Sequence, residues 1–180
     1  IYEVGLGTGN PIMKMDLMIN QLLRCLERES ELYRSMLTVI DKESKAAVRL
    51  DLKGLTKAGE KKQNIFEKLR LVEEKRIRLV REIAEALGYP PRDCTITTMS
   101  QLVGEPFAGR LSQAGAYLST VLNAVKEANH RNKQLFMHSL ELLRGSFNLL
   151  SDLTQSDMVY YRTGSVQRTY QTGKCVNGEI

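Results

Sequence analysis

Few residues in this chain have the type and spacing to do bond-making chemistry. Its 180 residues include two histidines, His130 and His138, and three cysteines, Cys25, Cys94 and Cys175. Glu127-x-x-His130 is half of the Glu-x-x-His arrangement that holds di-iron in four-helix bundles. The other half is missing, because Leu135 stands three residues before His138. Glu127 and His130 also fall on the expected solvent side of their helix. No zinc spacing exists, and two histidines on one segment offer no Ser/His/Asp or Cys/His constellation. The run from Gly5 to Gly9, Gly-Leu-Gly-Thr-Gly, looks like a phosphate loop but is not followed by GK[ST]. The expectation is a protein that is not an enzyme, with no catalytic, cofactor-binding or metal-binding residues.

The chemistry left is apolar, and it is concentrated between Phe107 and Leu153. Leu111, Ala114, Leu118, Val121, Val125, Ala128, Asn132, Leu135, Ser139, Leu142, Ser146, Leu149 and Leu153 recur in alternating steps of three and four. That is the heptad pattern of a helix buried along one seam. Pro106 precedes the stretch and no proline interrupts it. Such a helix would be on the order of 70 Å long and needs long partners beside it. A second seam, Phe136, Leu140, Leu143, Phe147 and Leu150, appears only in its later half. Together the seams make an apolar arc too wide for a helix facing one partner. Two readings stand at this point. Either the helix lies between two others and is covered on both sides, or part of the arc receives an amphipathic helix from another protein. Ser139 and Ser146 favour a loose fit there, since a tight core would take larger apolar residues.

The partner helices are legible upstream. A first helix runs from about Lys14 to Arg49, with Met15, Ile19, Leu22, Leu26, Tyr33, Met36 or Leu37, Ile40, Ala47 and Leu50 on its seam. Glu29 or Ser30, and Ser44, interrupt it. Asp51 offers an N-cap for a second helix after a tight turn near Leu50 to Lys53, with a single continuous helix through this point as the alternative. The second helix reaches about Leu87, with Leu55, Ala58, Ile65, Leu69, Val72, Leu79, Ile83 and Ala86 inward. Gly88 and Pro90-Pro91 stop it. Similar lengths predict an antiparallel hairpin. A short helical turn near Met99 to Val103 precedes the long helix. The fold class expected is all-α, an elongated antiparallel bundle or coiled coil of three long helices. Residues 1–12 are read as a flexible leader or expression remnant, residues 13–155 as the helical domain, and residues 156–180 as a mobile tail.

Composition agrees. Hydrophobic residues make up 42% and charged residues 26%, which fits a folded chain, while aromatics at 6% disfavour sheets. The formal charge of +5 is spread rather than blocked. Between Lys57 and Arg81 basic residues alternate with Glu60, Glu67, Glu73 and Glu74, as in the spacing of Glu74 and Arg78. That pattern marks a solvated helix face rather than a nucleic-acid patch. The odd, scattered cysteines fit reduced thiols. No signal peptide or membrane-spanning run is present, so a cytoplasmic location without stable membrane insertion is expected.

Several short motifs, in order, give a resemblance. They are Glu73-Glu74-Lys75-Arg76, Leu79-Val80-x-Glu82 leading into Ala86-Leu87-Gly88, Asn129-x-x-Asn132-x-x-Leu135, and Tyr160-x-x-x-Gly164. Over about Leu17 to Gly164 the chain resembles the FlgN-type flagellar export chaperones of the bacterial type III flagellar system. The resemblance implies binding to the C-terminal helical segments of hook–filament junction proteins, and delivery to the export gate and its ATPase complex. It implies a client surface at Phe136, Leu140, Leu143, Phe147 and Leu150, and a gate contact at Tyr160. The long glycine-rich leader and the residues beyond Gly164 depart from the family pattern. One rival is a homodimeric coiled-coil scaffold, against an expected monomer or weak homodimer. Another is a basic helical nucleic-acid binder using Arg70, Lys75, Arg76, Arg78 and Arg81.

Overall fold

A computed structural model describes residues 11–155, with side chains from Met13 to Asp152. Four helices and no strand occur among the described residues: α1 Pro11–Val48, α2 Leu52–Ala86, α3 Ile96–Leu102 and α4 Phe107–Gln155. The chain divides into two compact units, one ending at Leu135 and the other beginning at Phe136.

The breaks between helices follow from local chemistry. α1 ends in a Schellman turn, in which the Asp51 amide donates to the Ala46 carbonyl and the Leu50 amide to Ala47. Asp51 then caps α2, its carboxylate accepting from the Gly54 amide at 2.9 Å. Gly54 is needed there because a Cβ would lie 2.5 Å from the Asp51 carboxylate and 3.0 Å from the Ala46 Cβ. α2 ends with the same motif, Tyr89 to Ala84 and Gly88 to Glu85, with Gly88 at a positive φ of 70°. Thr95 caps α3 by accepting from the Thr98 amide.

Within the first unit, two apolar clusters form the core. One joins Ile19, Leu22 and Leu26 of α1 to Leu79 and Ile83 of α2, Met99 of α3, and Leu111 and Leu118 of α4. The other joins Leu32, Met36 and Ile40 to Ala58, Ile65 and Leu69, and to Val125. Every helix of the unit therefore contributes its apolar face to a shared interior, the main stabilising term for such a fold. Cys25 and Cys94 are free and buried, and burial raises both thiol pKa values, which makes them unreactive packing groups.

Polar contacts fix the register. Arg76 Nε donates to the buried Glu29 carboxylate at 2.9 Å, and Arg76 also pairs with Glu73. Lys62 pairs with Glu43 further along α1. Thus the α2 partners step back, from Arg76 to Lys62, as α1 advances from Glu29 to Glu43. The α4 partners step forward: Arg110 donates to Asn20, and Asn132 donates to the Ile40 carbonyl at 3.1 Å and to Glu43 at 2.9 Å.

Several expectations change. Glu29 and Ser30, expected only to interrupt the α1 seam, are buried, because Arg76 satisfies the carboxylate and Ser30 donates to the Leu26 carbonyl. Leu50 leaves the seam and is 80% exposed, since the turn carries it off the helix. Ala86 is exposed and Ala84 buried in its place. Glu74 pairs with Arg70 rather than Arg78.

Candidate functional site

The later turns of α4 carry the residues of interest. In the first half of the helix Leu111, Leu118, Val121, Val125 and Asn132 are buried, as the seam requires. Beyond Asn132 the seam does not stay buried. Leu142 and Leu149, both seam positions, are 74% and 67% exposed. Asn132 bonds to Ile40 within the first unit, and α4 continues for twenty-three residues after Asn132, most of them in the second unit.

The second seam fares the same way. Phe136 is half-buried, and Leu140, Leu143, Phe147 and Leu150 are all more than half exposed, Phe147 at 69%. Among the described residues, this arc is not covered on two sides. At about 100° per residue, Phe136, Leu140, Leu143, Phe147 and Leu150 fall within roughly 80° of one another, and Leu142 and Leu149 extend the stripe to about half the circumference. Glu141, Arg144, Asn148 and Asp152 occupy the opposite side. Seven large apolar side chains are thus exposed between Met137 and Leu150, a density that stable surfaces avoid unless they bind something.

Sequence reasoning placed the second-seam residues together, and the helix does bring them to one face. It missed Met137, and it assigned Leu142 and Leu149 to structure. Tyr160 lies outside the described residues.

The other candidates are placed elsewhere. Glu127 and His130 are exposed, and Glu127 pairs with Arg131 at 3.8 Å. No group of three or more metal-ligating side chains occurs among the described residues. Of the five basic residues nominated for nucleic acid, Arg76 is held by Glu29 and Glu73 and Arg70 by Glu74. No described helix is long and apolar enough to cross a membrane.

An apolar stripe carried openly on an all-helical scaffold defines a class, the helical interaction protein. The family follows from comparison: the FlgN protein family matches residues 15–168, and the chain belongs to it. This is a family of flagellar export chaperones. No curated protein and no solved structure matches the chain.

Proposed function

We propose that this protein is a cytoplasmic chaperone of flagellar type III export that binds the C-terminal amphipathic helices of hook–filament junction proteins. The observation that carries this reading is the run of exposed apolar side chains on the later turns of α4. An unassembled junction protein presents an apolar helical face prone to polymerise or aggregate. Laying that face on Leu140, Leu143, Phe147 and Leu150, beside Phe136, removes both surfaces from water, at roughly 25 cal/mol per Å2 of apolar area. Ordering the client segment opposes this gain, so affinity is moderate and release is feasible without ATP bound to the chaperone. Residues 13–155 form the chaperone domain. The opposite stepping of α2 partners and forward stepping of α4 partners along α1 supports an antiparallel bundle of three long helices for its core. Delivery to the export gate and ATPase complex uses Tyr160.

Leu143→Asp or Phe147→Asp abolishes co-purification with a junction protein and leaves the helical circular dichroism unchanged. Undiminished capture by both variants rules the surface out. Tyr160→Ala retains the client and weakens gate binding in a pull-down; loss of the client instead shows that its role is misassigned. The same stripe also fits a homodimer, and a light-scattering mass separates the two. The chaperone reading expects a monomer or weak dimer, and a tight dimer closed through α4 favours a scaffold.

A further inference from the structure

The turn between α1 and α2 has a surface that its fold does not require. Val48, Leu50 and Leu52 are 70%, 80% and 75% exposed. Leu50 holds a φ of +54°, the left-handed conformation that glycine adopts without steric conflict. The chain provides its own control, because the equivalent position of the Schellman turn ending α2 is Gly88. Folding alone would favour glycine at both. A leucine at residue 50 keeps a large side chain in water in a disfavoured backbone state.

The charge around this turn is one-sided. A groove of about 330 Å3 between the end of α1 and the start of α2 is lined by Lys42, Lys45, Arg49, Lys57 and Lys61, with Asp51 its one acidic residue. Asp51 is occupied in capping Gly54, and Lys45 pairs with Asp41 on the exposed face. Lys45 and Arg49 suit the end of α1, where cations are favoured. Lys53 stands in the first turn of α2, where the Asp51 N-cap is the one carboxylate, and Lys57 follows it on the second turn, so the start of α2 adds cations to the same turn.

We propose that the α1–α2 turn is a peripheral docking surface for a bilayer rich in anionic phospholipid. Leu50 and its apolar neighbours enter the headgroup–acyl boundary, and the groove cations face phosphate. Apolar side chains ringed by lysines are the pattern of interfacial binding, and attraction accumulates with each cation near the surface. This is contact without spanning, and it rests on different residues from the α4 reading, so either can fail alone.

Vesicle co-sedimentation of the full chain tests it. The protein sediments with phosphatidylcholine vesicles carrying about one third phosphatidylglycerol, not with pure phosphatidylcholine, and high salt releases it. Leu50→Gly melts no lower than the parent yet partitions about tenfold less. Lys53→Glu with Lys57→Glu abolishes sedimentation, while Lys133→Glu, an exposed charge reversal on α4, retains it. Equal binding to both vesicle types, or undiminished binding by either turn variant, overturns the proposal. Binding to poly-glutamate with none to vesicles also overturns it, and assigns the turn to an acidic protein.

Discussion

At the scale of single residues, Glu29 and Arg76 form an ion pair between α1 and α2 whose carboxylate is buried. The Glu29 side chain is 4% exposed and that of Arg76 23%. Removing one partner of such a pair leaves an uncompensated buried charge, so Arg76→Ala should lower unfolding free energy by about 3 kcal/mol, read from urea denaturation. The pair also sets a pH dependence. Burial pushes the Glu29 carboxyl above its ordinary value of 4.5, and the Arg76 hydrogen bond pulls it back only in part. Between 4.5 and the raised folded value the folded state binds more protons than the unfolded one. The contribution of Glu29 to stability therefore grows as pH falls through that window and is flat above it. Glu29→Gln should lack this slope, so the stability of the parent relative to the variant, read from urea midpoints, should rise as pH falls through that window; a difference constant with pH would show that Glu29 does not titrate there. Asn132 acts similarly as a polar member of an apolar seam. By donating to both Ile40 and Glu43 it fixes the register between α1 and α4, which is the usual use of a polar residue at such a position.

At the scale of elements, periodicity, caps and stops place every helix to within a few residues. Asp51, Gly88 and Pro106 mark boundaries because each answers a backbone requirement that depends only on neighbours. Burial was less legible, because it depends on which partner is present. Glu29 reads as an interruption until Arg76, forty-seven positions away, is brought against it. Leu142 and Leu149 read as core because a heptad pattern specifies a face and not how far its partner extends. Leu50 reads as seam because the sequence shows its spacing but not that the chain turns left-handed there. The apolar stripe on the later turns of α4 was legible as a second seam, and its exposure was not. An exposed helix of this kind is held by its own hydrogen bonds and weak intrinsic propensity, which makes the later turns of α4 readily opened in the absence of a partner.

For the whole molecule, the two units have different physical characters. The first buries its apolar faces in two clusters and fixes them with ion pairs between helices. The second presents its apolar side chains outward, from Met137 to Leu150. Under the proposed chaperone function that contrast is one between a stable scaffold and a surface that a client would complete. Amide hydrogen exchange along α4 tests this most directly. In the free protein, amides from Leu111 to Asn132 should exchange slowly and those from Met137 to Asp152 quickly. Adding the C-terminal segment of a junction protein should slow the second group by at least about tenfold and leave the first unchanged. Protection gained elsewhere, with residues 137–152 still exchanging freely beside a bound client, would contradict the account.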